Sequence, residues 1–262
     1  MLSKLNPPIK ALILDMDGVL WADNVALIDM PAAFQRMKDL GLKVMLATNN
    51  TTKTAAQFVE KVRSFDVEVG PDQIINSPMA AADVLEQRFP GGGPVYIFGE
   101  EGLRATLEQH GYYHATENVK AVVVGLNRHA TFEEFCAVTN LIHSGVAFIG
   151  TNPDRTFPQP NGVVFPGTGP YLAFFEASTG VKPTIAGKPS RFLFSLALKR
   201  MGVPAEQTLA VGDRLETDIA GAKEAGCRTA LVLSGVSKLE EVAKFSPQPD
   251  LVAKNLTELL AD

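Results

Sequence analysis

Four short apolar runs in the 262-residue sequence each end in residues that can handle charge. Residues 11–14 run into Asp15-Met16-Asp17-Gly18, 43–47 into Thr48-Asn49-Asn50, and 184–186 into Gly187-Lys188-Pro189. Residues 208–211 run into Gly212-Asp213, with Asp218 five residues on. Taken singly, each has a plain explanation. A DxDG string arises by chance in about one chain in fifteen of this length, and such a loop can carry Asp for solubility and Gly for a positive φ. Thr51 or Thr52 could cap a helix, Lys188 could be a surface lysine before a helix opened by Pro189, and Asp218 could be a charge near a helix N-terminus capped by Thr217. Taken together they converge. If these runs are strands of one parallel sheet, their ends bring four carboxylates, a hydroxyl, amides and an ammonium to one crevice. Carboxylates so grouped do not stay ionised together unless a cation sits among them. Hard oxygen ligands at an open site favour Mg²⁺, while Thr48, Asn49 and Lys188 suit the oxygens of a phosphoryl group. The chemistry this set points to is phosphoryl transfer.

The flanking pattern supplies the elements. Residues 11–14, 42–47, 208–211 and 229–233 read as buried strands, and 30–40 (closed by Gly41), 54–65, 191–201, 217–225 and 237–245 as helices. The short run at 184–186 reads as a further strand of the same series. Near-continuous apolar strands linked by helices imply a doubly wound parallel sheet shared by both ends of the chain. Ligands bind such a sheet beyond the carboxyl ends of its strands.

The middle differs. Residues 89–94, FPGGGP, make a strong break before strands at 95–98, 121–124 and 146–149 and helices at 101–110 and 132–144. Five prolines between 153 and 170 predict a stiff loop returning to the first domain. The expected organisation is an α/β core of residues 1–80 and 184–262 with an inserted α/β domain over 81–183.

Composition narrows the partners. With 46% hydrophobic and 20% charged residues the chain is globular; 24 Lys and Arg against 29 Asp and Glu, without a basic run, argue against nucleic acid. Cys136 and Cys227 read as buried thiols rather than a disulfide framework. No signal-peptide core and no 18-residue apolar stretch is visible, so the expectation is a cytoplasmic protein without a membrane partner. His110, His114, His129 and His143 lack metal-site spacing and read as surface or structural residues.

In this order the motifs resemble the haloacid dehalogenase superfamily of phosphohydrolases: DxDG, a hydroxyl, a Lys and GDxxxTD. Asp-Gly-Val-Leu, Ala-Thr-Asn-Asn, Thr-Asn-Pro-Asp at 151–154, Gly-Lys-Pro and Gly-Asp-Arg-Leu-Glu-Thr-Asp-Ile look like the NagD-type, or 4-nitrophenyl phosphatase, branch. The likeness covers essentially the whole chain, with the long insertion where that branch carries its α/β cap.

The resemblance implies roles. Asp15 would attack phosphorus to form an aspartyl phosphate, and Asp17 would protonate the leaving oxygen and then activate water. Mg²⁺ would be held by Asp15, the backbone carbonyl of Asp17 and Asp213, with Asp218 either a ligand or a holder of metal-bound waters. Thr48, Asn49 and Lys188 would hold the phosphate, and Gly18 would let backbone N–H groups approach it. Two departures, Asn127 where the branch often has Asp and Trp21 where Tyr or smaller side chains are also common, touch no chemistry on this reading and bear on substrate alone. A phosphorelay receiver and a true dehalogenase are the rival readings; Asp17 argues against both, because it would discharge a phosphate that a signal must retain and has no task in carbon–halogen displacement. Small phosphorylated metabolites such as sugar phosphates or nucleoside monophosphates fit a large cap, and the resemblance suggests a homodimer. Asn152, Asp154 and Arg155 are substrate candidates because their Pro-rich loop leads back to the core; the alternative is a loop stiffened only to hold the hinge.

Overall fold

A computed structural model of the chain describes residues 1–158 and 163–261. They form two compact units, one of Met1–Thr48, Ala55–Ile75 and the chain from Pro189 on, the other of Asn49–Thr54 and Asn76–Lys188. The architecture is α/β, with a parallel sheet in each.

In the first unit the strand Ala11–Asp15 lies between Thr208–Gly212 and Lys43–Thr48, parallel to both, and Arg228–Val232 and Leu251–Ala253 extend the sheet. Ile74–Asn76 is its other edge. The central strand is buried throughout, which is why its sequence is apolar without alternation. Helices Met30–Asp39 and Ala55–Arg63 contribute Met37, Phe58 and Val62 to the same buried cluster as Leu12 and Leu14. The first of them starts where Asp29 accepts the Ala32 N–H and stops at Gly41, whose φ of 69° suits the left-handed turn.

The second unit holds a sheet in the order Thr184–Ile185, Ala147–Gly150, Ala121–Val124, Gly93–Phe98, Tyr112–His114, again parallel. Its core centres on Phe98, edge-to-face with Phe135, Tyr171 and Phe175. Helix Phe132–His143 opens on a reciprocal cap between Thr131 and Glu134.

Four expectations are corrected. The run at 184–186 belongs to the second sheet, because Thr184 and Ile185 pair with Ile149 and Gly150. The Pro-rich stretch is not all loop. Thr156–Pro158 pairs antiparallel with Val164–Pro166, and Thr168–Thr179 is a helix; both strands of a two-stranded ribbon are edges, where a missing proline N–H costs little. Residues 159–162 of that stretch lie outside the described residues. The helix expected over 217–225 begins as a π-helical turn, Leu215–Ile219, before Ala220–Glu224. Cys136 is exposed while Cys227 is buried, since Phe135, Val138 and Ile142 take the inward side of their helix. Among the described residues no helix is long and apolar enough to cross a membrane.

Asp250 ties the outer strands of the first sheet. Its carboxylate accepts from Lys223 Nζ (2.6 Å), Arg228 Nη1 (3.2 Å) and the Thr229 N–H (2.8 Å). Burial opposes its ionisation, but the Lys223 and Thr229 hydrogen bonds outweigh that and hold its pKa below the ordinary 3.8. A lowered folded pKa gives stability that is present above about 3.8 and lost as pH falls through the folded value. Asp250→Asn is expected to cost about 1.5 to 3 kcal/mol at pH 7, with a smaller gap from the parent protein at pH 3; urea melts at the two pH values check both, and a gap that widens in acid contradicts this account.

Candidate active site

The first unit gathers three of the predicted carboxylates. Asp15 ends its strand, Asp213 follows the neighbouring strand, and Leu14 pairs with Val211, so the two leave the sheet side by side. Asp218 reaches the same place through the π-helical turn. The wide turn carries the N–H groups of Asp218 and Ile219 to the Arg214 carbonyl, and Asp218 Oδ2 in return accepts the Arg214 N–H at 3.0 Å. One oxygen from each of Asp15, Asp213 and Asp218 lies within 4.8 Å of the others, and all three residues are buried.

Backbone holds this cluster closely. Asp213 Oδ2 accepts the Val236 N–H at 2.8 Å and the Asp213 carbonyl accepts the Ser237 N–H, while the carboxylate's Oδ1 is buried and accepts no hydrogen bond from the described residues. A Cβ on Gly18 or Gly235 would overlap the Asp213 carboxylate, and one on Gly212 would overlap Asp218. Gly18 also has φ of 87°, and its own N–H goes to the Trp21 carbonyl at 2.7 Å. At such spacing each pair of like charges repels by about 3.5 to 4 kcal/mol at an effective dielectric near 20. An all-oxygen donor set this crowded fits a divalent cation.

Asp17 stands apart from that cluster. Its side chain is 55% exposed, and Oδ1 accepts the Trp21 Nε1–H at 2.9 Å with Lys61 Nζ 4.0 Å away. Trp21, expected to touch no chemistry, therefore contacts the second Asp of DxDG directly. Trp21 lies four residues after Asp17, but nothing in the one-dimensional pattern marks an indole turned back on the loop, and Lys61 stands at an ordinary polar position of an amphipathic helix. Thr48 is buried at the end of its strand, next to the central one, where Asp15 pairs with Ala47.

The second unit holds Asn49 and Lys188. Asn49 Oδ1 accepts the Lys188 N–H at 2.8 Å and Asn49 Nδ2 donates to the Lys188 carbonyl at 2.9 Å, so one amide clamps both backbone groups of the lysine. The other amide hydrogen goes to the Asp154 carboxylate, 3.2 Å from each oxygen. The Asn49 carbonyl accepts from Asn152 Nδ2 and Ser77 Oγ, and a Cβ on Gly187 would press on Asn49 Oδ1. Asn152 and Asp154 thus join Asn49 and Lys188, whereas exposed Arg155 lines a groove of about 650 Å³ with Glu176 and Lys182. Asn127 accepts the His129 N–H on Oδ1 and the Tyr171 hydroxyl on its carbonyl, both within its own unit. A larger cavity, about 850 Å³, sits at the start of the strand Lys43–Thr48, beside Phe34 and Arg200, and contains none of these residues.

Family comparison bears on the same elements. A model described as haloacid dehalogenase-like hydrolase matches residues 12–113, and a second, HAD-hydrolase-like, matches 185–259. The 5'-nucleotidase YutF of Bacillus subtilis (strain 168) is 33% identical over 249 residues, 95% of this chain and 96% of that protein. The chain belongs to the haloacid dehalogenase-like hydrolases. Within that family the acid sugar phosphatase of Staphylococcus aureus (strain USA300) is 32% identical over 97% of both chains. The solved p-nitrophenyl phosphatase from Archaeoglobus fulgidus superposes with a TM-score of 0.90 at 32% identity, covering 97% of this chain and 99% of that one. The chain is a hydrolase of phosphoric monoesters with a family-type core and an inserted α/β unit.

Crowding around Asp213 gives a direct test of the cluster. Gly235→Ala needs no left-handed backbone and places its methyl against the Asp213 carboxylate. The variant should keep its far-UV circular dichroism and need about 10- to 100-fold more divalent cation for half-maximal activity, the range for disturbed support of metal ligands. An unchanged requirement would show that Asp213 lies outside the cation site.

Proposed function

We propose that the protein is a Mg²⁺-dependent phosphatase of small phosphate monoesters that works through an aspartyl phosphate on Asp15. The observation that carries this reading is the buried cluster of Asp15, Asp213 and Asp218, a like-charge group whose mutual repulsion a cation would relieve. Asp15, Asp213, Asp218 and the Asp17 carbonyl would hold Mg²⁺, which would neutralise the negative charge of the carboxylates and of the phosphate. The remaining chemistry belongs to the chain. An Asp15 oxygen attacks phosphorus as the ester oxygen departs with a proton from Asp17; Asp17 then takes a proton from water, whose oxygen attacks phosphorus and releases Asp15 and phosphate.

Thr48 and Lys188 hold the phosphoryl oxygens in this reading. Asn49, its amide hydrogens already engaged, contributes by fixing the backbone of Lys188. Relatives named as a 5'-nucleotidase and an acid sugar phosphatase support nucleoside monophosphates and sugar phosphates as the substrate class. Asn152, Asp154 and Arg155 belong to the inserted unit, which we assign to substrate choice. A cytoplasmic setting agrees with two cysteines that form no disulfide, and a homodimer with the family resemblance.

Hydrolysis of 4-nitrophenyl phosphate should vanish in excess chelator and return with Mg²⁺; full activity with no metal detected by elemental analysis rules the cation out. Asp15→Asn should keep the fold and lose about 10⁴-fold or more in kcat, roughly 5 kcal/mol of barrier. Trapping of a labelled phosphoenzyme by acid quench in the parent protein, absent in Asp15→Asn, checks the intermediate.

A further inference from the structure

We infer that Trp21 is a positioning residue for Asp17: its indole N–H holds Oδ1 of that carboxyl, braced by Lys61, so that Oδ2 is the oxygen that passes the proton to and from the substrate. The inference rests on the proposed acid–base role of Asp17 and adds how one oxygen is selected.

The surroundings of Trp21 fix its ring. Trp21 is fully buried and stacked on Phe65, ring centroids 5.5 Å apart and 12° from parallel. Its N–H goes to the Met16 carbonyl and its carbonyl takes the Gly18 N–H, so its backbone brackets Asp17 from both sides. It opens the hairpin Trp21–Ala22 with Val25–Ala26, which fixes the ring relative to the loop. A buried indole N–H needs an acceptor, and a backbone carbonyl would serve. Here the acceptor is a carboxylate more than half exposed, a side chain that otherwise rotates freely in water. Lys61 Nζ sits 4.6 Å from the Trp21 ring centroid and 4.0 Å from the same Oδ1, so two groups act on one oxygen.

The donors decide the consequence. An indole N–H and an ammonium can only donate. Oδ1 is therefore an acceptor in both states of Asp17, and because the carbonyl oxygen of a carboxylic acid accepts better than its hydroxyl, the carboxyl proton, when present, favours Oδ2. Without Trp21 the proton divides between two oxygens and the carboxyl samples several rotamers, and only some of these serve a leaving oxygen. The defect appears where the leaving group needs a proton and is small for 4-nitrophenolate, which hardly does.

The test compares 4-nitrophenyl phosphate with 2-phenylethyl phosphate in the parent protein, Trp21→Phe, Asp17→Asn and the double variant. Trp21→Phe should raise the ratio of kcat/KM for the nitrophenyl over the alkyl ester about tenfold, and Asp17→Asn should raise it further. In the Asp17→Asn background Trp21→Phe should leave the ratio unchanged, because the group through which it acts is gone. If Asp17→Asn slows both esters equally, the acid–base reading of Asp17 fails and the inference falls with it. If Asp17→Asn is selective but Trp21→Phe slows both esters equally, or shifts the ratio again in the double variant, Trp21 is structural and the reading of Asp17 stands. Because Trp21 is the only tryptophan in the sequence, two measurements avoid dependence on the Phe variant folding. Replacement by the benzothiophene isostere removes the N–H alone and should reproduce the ratio change. The single indole N–H cross-peak in ¹⁵N NMR should move upfield in Asp17→Asn; a peak that stays in place shows that the bond does not exist in solution.

Discussion

Mutual repulsion among three buried carboxylates is the constraint around which the first unit is built. Asp15, Asp213 and Asp218 do not occupy neighbouring space for the sake of stability, and the scaffold must hold them there. Parallel pairing does part of this, since strands running the same way end on the same side. Local backbone does the rest: the π-helical turn after Arg214 turns Asp218 back toward the strand end, and the Val236 and Ser237 N–H groups fasten Asp213. Together these devices fix like charges beside one another, an arrangement whose repulsion a cation relieves.

Much of this was legible because strand ends have a simple grammar. A buried strand between helices reads as an unbroken apolar run, so whatever follows it must be at the sheet's carboxyl edge; Asp15, Thr48 and Asp213 were found that way. Lys188 was found by the same rule applied to a strand that belongs to the other sheet, because a two-residue strand carries no mark of its partner. The hairpin within the Pro-rich segment was hidden for a related reason: prolines forbid central strands but are harmless in a ribbon of two edges. Least visible were contacts made by turning back in space, the Trp21 indole on Asp17 and the Asn49 amide on Lys188, which depend on rotamers that no periodicity encodes.

Asn49 shows how much of a side chain's surroundings the sequence leaves unsaid. An amide at a strand end is a fitting ligand for phosphate, and on sequence alone that was the natural expectation. Its two hydrogens and its oxygen are instead committed to the Lys188 backbone and Asp154, as if the side chain were a short piece of neighbouring strand. An amide used in this way fixes a cation's anchor point without adding charge. Asn152 and Ser77 then fasten the Asn49 carbonyl, so the lysine is held through a chain of neutral hydrogen bonds.

The three glycines packed against the carboxylates bear on how sequence variation in this protein is read. Gly18, Gly212 and Gly235 contribute no functional group, yet a single added methyl at any of them meets Asp213 or Asp218. In a saturation mutagenesis profile they will therefore stand out as intolerant positions, and scoring by side-chain chemistry alone will overlook them because what they supply is empty volume.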